Sequence, residues 1–192
     1  IRANAALSAL MVAAIGIGIG ACMTIVTIYH VMSGNPIPQK SSTLYAVQLD
    51  NWSPDEPYDS PNELPPQSTY LDATNLYAAG SDFQHVLSYK SSRVVQPSDP
   101  AELPFEISTR VTTFRFFQAF DVPFRYGSGW DTNADRNLEH VVVLSRLLNE
   151  RLFGGTDSTG ESVRLNGETY RVSGVLDDWQ PTPKFYDLNN NP

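Results

Sequence analysis

Residues 16–21 read Gly-Ile-Gly-Ile-Gly-Ala, a G-x-G-x-x-A spacing. In a dinucleotide-binding turn those glycines let backbone amides approach a pyrophosphate. That chemistry also needs a preceding strand, a helix opening at the glycines, and an acid about 20 residues on to hold a ribose. No Asp or Glu precedes Asp50, and the intervening SGNPIPQKSS breaks any crossover helix, so the nucleotide reading fails. Other candidate groups fare no better. Ser145 follows an apolar run and precedes a helical one, where a nucleophile elbow would lie, but V-L-S-R-L lacks the flanking glycines. Helix capping accounts for it. Asp177 and Asp178 are adjacent, and on an extended chain such neighbours point opposite ways, as in a solvated turn. His30, His85 and His140 are widely spaced, and the one cysteine, Cys22, lies in an apolar run, so no zinc-ligand pattern forms. The expectation is a chain without a catalytic constellation, metal or cofactor of its own.

The glycines belong to a longer element. ALMVAAIGIGIGACMTIVTIY, residues 9–29, is apolar throughout, and no Asp, Glu, Lys or Arg lies between Ala3 and Gln39. As a helix it reaches across a hydrocarbon core of about 30 Å. Gly16 and Gly20 share one helical face with Ala13 a turn earlier, the small-residue spacing that lets a second membrane helix approach closely. Ile19-Gly20-Ala21-Cys22 is like a lipoprotein cleavage box, yet the apolar run continues as MTIVTIYHVM, where a mature lipoprotein is usually polar. An uncleaved membrane helix is the better reading. Arg2 favours a cytoplasmic amino terminus, offset by Lys40 on the other flank.

All 21 acids lie beyond residue 49, together with 11 of the 13 basic residues, so residues 41–192 carry a formal charge of −10. Such a surface repels phosphate backbones and argues against nucleic acid as a partner. With no cysteine beyond Cys22, a disulfide framework is excluded.

TLYAVQL (43–49) alternates like a half-buried strand. Residues 51–67, NWSPDEPYDSPNELPPQ, carry five prolines and must be a surface loop. STYLDATNLYAA then has helical spacing with Gly80 as its stop. DFQHVLSYKSSRVVQ predicts two short strands or one bent one, and FEISTRV a strand, after which Thr112 or Thr113 can cap a short helix carrying Phe116, Phe117 and Phe120. Phenylalanine of that density is core anchoring. YGSGWDTNADRN reads as glycine-rich loop and EHVVVLS as a strand buried on both faces. RLLNERLF predicts a helix capped by Ser145 and ended by Gly154-Gly155. In SVRLNGETYRV, Asn166-Gly167 is a type I′ turn pairing Leu165 with Glu168, Arg164 with Thr169 and Val163 with Tyr170. Val163, Leu165, Tyr170 and Val172 then share the core face. The aromatic-proline tail, with Trp179, Phe185 and Tyr186, and the loop aromatics Trp52 and Tyr58 are candidates for touching a partner.

VTTFRFFQAFDVPF (111–124), VVVLSRLLNERLFGG (141–155) and GESVRLNGETYRVSGVL (160–176), in this order after a membrane helix, resemble the MacB-type periplasmic core domain. That domain is found in permease subunits of bacterial ABC transporters, including FtsX-like and lipoprotein-releasing permeases. The resemblance covers nearly the whole chain; loop 51–67 and the tail WQPTPKFYDL depart from the common form. It implies an α+β class: one amino-terminal transmembrane helix followed by a mixed α+β periplasmic domain of two subdomains. The expected layout is a cytoplasmic end at 1–8, a transmembrane helix at 9–32, a linker at 33–42 and the periplasmic core at 43–192, with further membrane helices beyond. It also implies a non-catalytic subunit in the bacterial inner membrane. Its partners would be a cytoplasmic ABC ATPase that holds ATP and Mg, a second permease copy or paralogue, and a periplasmic adaptor. A tethered binding module or lipoprotein and a sensor ectodomain are the alternatives.

Overall fold

The computed structural model describes residues 4–35, 37–80, 83–181 and 184–187; Arg2, Pro183 and Leu188 of the sequence reading lie outside them. The described residues of Ile1–Thr43 and Gln180–Pro192 make one compact unit, and Leu44–Trp179 make a second. Trp179 and the pair Phe185 and Tyr186 thus belong to different units.

The first unit is dominated by helix α1, Ala5–Ser33. It holds 29 residues with a peak mean hydropathy of 2.3, and none of its residues is buried. Its apolar character runs all round, as a helix facing lipid requires and a one-faced surface helix would not. Thr24 and Thr27 would be costly there as free hydroxyls. Each donates back to the carbonyl four residues earlier, Gly20 at 2.9 Å and Met23 at 2.8 Å, so neither needs an external partner.

The second unit is built on one six-stranded sheet. Strand β1, Ser88–Gln96, pairs antiparallel with β2, Phe105–Thr112, on one side and with β5, Ser162–Leu165, on the other. Strand β6, Glu168–Leu176, takes β5 and β3, Phe124–Gly127, as antiparallel neighbours. β4, Val141–Leu144, lies parallel to β6. The hairpin has the predicted register: Leu165 opposite Glu168, Arg164 opposite Thr169, Val163 opposite Tyr170. Asn166 at φ 50° and Gly167 at φ 89° give the two left-handed residues that a type I′ turn requires. Val163, Leu165 and Val172 are buried together with Val95, Leu144 and Val175, and half-buried Tyr170 packs against them. This is the core of the domain.

Helix α5, Arg146–Phe153, closes over that core through Leu148, Leu152 and Phe153. The Ser145 hydroxyl accepts from the Leu148 amide, and Gly154 at φ 65° ends the helix, so both caps stand as read. Asn149 is buried on this helix. It donates to the Thr156 carbonyl at 2.8 Å and accepts from the Ser158 hydroxyl at 2.6 Å, which satisfies a polar group where an unpaired one would be costly. Helix α2, Tyr70–Ala79, also forms where expected, with Gly80 at φ 66° after it.

Several local expectations are settled or corrected. Residues 43–49 join no strand ladder, and Tyr45 is 84% exposed; alternation alone does not make a strand without a neighbour to bond. Of the two alternatives for the stretch ending at Gln96, two strands or one, the structure has one, residues 88–96. Helix α3, Arg115–Ala119, is preceded by Phe114 and has no side-chain cap. The threonine hydroxyls are engaged across the sheet instead: Thr112 donates to the Leu87 carbonyl, and Thr113 accepts from the Leu87 amide. Finally, 126–137 is not all loop. Tyr126 and Gly127 finish β3, and Thr132–Asn137 form helix α4 under an Asp131 cap. Half-buried Val141, Val142 and Val143 show that β4 is less enclosed than a strand covered on both faces; only Leu144 is fully buried.

Candidate contact surfaces

The small-residue face of α1 is open. A Cβ added at Gly16 or Gly20 would meet nothing within 4 Å, and Ala13 is exposed. The helix therefore has the shallow face that packing in lipid uses, with no element of the described residues occupying it.

The proline-rich loop is held rather than loose. Trp52 and Tyr58 meet edge to face at a centroid distance of 5.2 Å, and both remain exposed. The two ends of the loop converge on one carboxylate. Asp72 accepts from the Asn51 side-chain amide at 3.1 Å and from the Thr69 hydroxyl at 2.6 Å, while its own amide donates to the Thr69 oxygen at 3.1 Å. The Thr69 hydroxyl, then the Asn51 amide, hold the Asp72 carboxyl below its ordinary pKa, because both favour the charged form. Sequence reasoning missed this clasp. Its signal was there in Thr69-Tyr70-Leu71-Asp72, a threonine with an acid three residues on at a helix start.

Trp179 does not stand alone at the surface. Its ring meets Phe116 edge to face at 6.1 Å, and Phe116 in turn contacts Phe117 and Phe120. Phe117 continues the cluster to Phe124 at 5.4 Å and Trp130 at 4.8 Å. The predicted anchoring role of the phenylalanines is what the structure shows. Asp135 of α4 fixes the cluster by accepting from the Trp130 indole at 2.6 Å and the Phe114 amide at 2.9 Å. Asp131 caps the same helix, and the amide of Ala134, with that of Asn133, keeps its carboxyl below the usual range. In the tail unit, Phe185 and Tyr186 pack edge to face on each other at 5.9 Å. The sequence candidates are thus distributed over three places: Trp52 with Tyr58, Trp179 in the aromatic cluster, and Phe185 with Tyr186.

Chemistry is sparse. Ser145 is a cap, Asp177 and Asp178 are exposed, and His140 stacks on Tyr170 at 4.8 Å. Among the described residues no group of three or more His, Cys, Asp or Glu could hold a metal ion. A concavity of about 240 Å³ beside Arg125, Arg146 and Glu150 has an Arg146–Glu150 ion pair at 2.7 Å in its wall.

The apolar helix, taken with the family match that follows, makes this a membrane-anchored protein with a domain outside the cytoplasm. The chain belongs to the MacB-like periplasmic core domain family, whose pattern matches residues 8–190, and which is the domain type of ABC transporter permeases. Among solved structures it is similar to the periplasmic region of MacB from Actinobacillus actinomycetemcomitans, with 20% identity over 56% of this chain and 50% of that one, at a TM-score of 0.48. It is also similar to the extracellular domain of the noncanonic ABC-type transporter YknZ from Gram-positive bacteria, at 21% identity, 59% of each chain and a TM-score of 0.48. The chain thus spans 50–59% of the length of these two structures. No curated protein sequence matches it.

Proposed function

We propose that this chain is the first membrane helix and part of the periplasmic domain of a bacterial ABC transporter permease subunit in the inner membrane. In this reading the chain does no covalent chemistry. A cytoplasmic ABC ATPase partner binds ATP and Mg, and its closure moves the permease helices. The motion passes along α1 to the sheet domain outside, which acts mechanically on cargo or on a periplasmic adaptor for export or efflux. A second permease copy or a paralogue completes the pair. The observation that carries the reading is the family match, which begins inside an uncharged helix of 29 residues and continues through the sheet domain. The open face at Ala13, Gly16 and Gly20 supports helix-to-helix packing in the membrane, and the clasped loop 51–69 supports a presented contact surface.

The test is transport by the full-length permease with its ATPase in proteoliposomes. Deleting Ser53–Pro66 is expected to leave the protein folded and membrane-inserted while weakening transport; wild-type transport by the deletion would remove the loop from the contact surface. The mature protein is expected to retain residues before Cys22. Recovery of a chain beginning at an acylated Cys22 would overturn the permease reading in favour of a lipoprotein.

A further inference from the structure

The tail turns back on itself at Lys184–Asp187, where the Asp187 amide donates to the Lys184 carbonyl at 2.9 Å. Phe185 and Tyr186 take the two central positions of this turn, half-buried, with their rings edge to face at 5.9 Å. Turns in water favour Gly, Asn, Asp, Ser or Pro. Two adjacent aromatics at the centre of one point to surroundings that are only partly water. The turn belongs to the compact unit of α1 and not to the sheet unit. Its level follows from the helix. α1 has 29 residues, a length of about 44 Å at 1.5 Å per residue. A hydrocarbon core takes about 30 Å and a bilayer with its headgroups about 40–45 Å, so the helix reaches from one headgroup layer to the other. Tyr29, 73% exposed, then stands at the outer headgroup level. The linker after Ser33 gains little further height. The Lys40 and Ser41 amides both donate to the Ile37 carbonyl at 3.0 Å, and the Thr43 amide to the Lys40 carbonyl at 2.9 Å, which winds 37–43 into consecutive turns. No residue of α1 is buried, whereas Ile37 is 5% exposed, so this unit is packed at the linker end of the helix and not along its length.

Charge divides along the same line. Residues 1–43 and 180–192 hold three basic residues, Arg2, Lys40 and Lys184, against one acid, Asp187, for a formal +2. Residues 44–179 hold the other ten basic residues against twenty acids, for −10. A surface with anionic lipid attracts basic residues and repels acidic ones. We propose that the turn 184–187 is a membrane-interface anchor. Phe185 and Tyr186 lie in the headgroup layer beside the outer end of α1, and exposed Lys184 meets lipid phosphate. Aromatic rings collect at that level around the ends of membrane helices, where one side is apolar and the other wet. The rings keep their protein neighbours, since a half-buried pair needs only one side for lipid. The two tail aromatics thus have lipid rather than protein as their partner. This inference rests on α1 crossing a membrane and is independent of the ATPase coupling proposed above.

The experiment uses the full-length protein, with Cys22→Ala as background, in vesicles of phosphatidylcholine and phosphatidylglycerol. A nitroxide spin label is attached at Ile15→Cys, Tyr29→Cys or Phe185→Cys, and its collisions with membrane-soluble oxygen and with a water-soluble nickel chelate are compared. The label at 15 is expected to be deepest. The label at 185 is expected at the depth of the label at 29, with an oxygen-to-nickel collision ratio several-fold above that of free label in water. If Phe185→Cys is not recovered folded, Lys184→Cys makes the same measurement from an exposed position. Lys184→Glu is expected to move the label at 185 toward water in these vesicles and to leave it in place in phosphatidylcholine alone. A label at 185 with the ratio of bulk water, one shielded from both reagents as a protein partner would leave it, or one indifferent to Lys184→Glu would each overturn the proposal and leave α1 in the membrane. A water-exposed label at 15 would overturn the membrane helix and this proposal with it.

Discussion

Two stretches of the outer domain are ordered by different physics. Residues 88–176 are organised around Val95, Leu144, Val172 and Val175, each at most 1% exposed. Residues 44–80 bury almost nothing: α2 has no buried residue, and the loop before it is pinned by three hydrogen bonds to Asp72. Apolar burial is worth roughly 25 cal/mol per Å² and carries no titrating group, whereas an exposed polar clasp nets little over water. The difference teaches which stretch opens only with the whole domain and which can open locally.

The contrast breaks most sharply in the core. Leu144→Ala is expected to lose about 2–5 kcal/mol of global stability, read as a lowered urea midpoint, with no change in the loop's local exchange. Next comes Gly174→Ala. Its Cβ would sit 2.6 Å from the Ser128 carbonyl oxygen and 2.8 Å from that residue's nitrogen, both backbone atoms that cannot turn aside, for a cost of about 1–3 kcal/mol. Gly16→Ala is the matched control, since open space surrounds it; the melting of the outer domain should not move. Smaller still, Thr69→Ala should weaken only the loop, by about 1 kcal/mol, seen as faster hydrogen exchange over 51–69 against an unchanged sheet. The smallest effect is with pH. Asp72 has its pKa lowered on folding, so its contribution is full above the unfolded carboxylate value and fades as pH falls through the folded one. Limited proteolysis in 51–69 should quicken on acidification through that range, and Asp72→Asn should abolish the dependence. If loop and sheet instead melt together in every variant, the division between them is wrong.

What the sequence disclosed follows the same line. The hairpin at Asn166-Gly167, the caps at Ser145 and Gly154 and the stop at Gly80 are written in adjacent residues, so local chemistry alone predicts them. The family motifs also lie in these stretches. Contacts closed over long distances were hidden. Thr112 and Thr113 have cap-like positions, but their hydroxyls serve Leu87, 25 and 26 residues away. Residues 43–49 carry a strand pattern, yet pairing depends on a partner that pattern cannot name. Helix α4, T-N-A-D-R-N, has no apolar stripe to show it; its Asp131 cap was the available sign, obscured by the glycines before it. The clasp at Asp72 joins a turn signal that can be read locally to Asn51, which cannot. Of the candidate contact residues, Trp179 has a visible packing role, and its motif gave no hint that Phe116 was the partner.

Asn166 does more than turn the hairpin. Its side-chain oxygen accepts from the Val94 amide at 2.7 Å, and its own amide donates to the Val94 carbonyl at 2.9 Å. Those two bonds span 72 positions of chain. During synthesis, β1 and β2 emerge as a local pair but have to wait for residue 166 before their inner flank is closed. Stretches joined only at such separations assemble late, so the amino-terminal half of this sheet depends on its carboxy-terminal half being made.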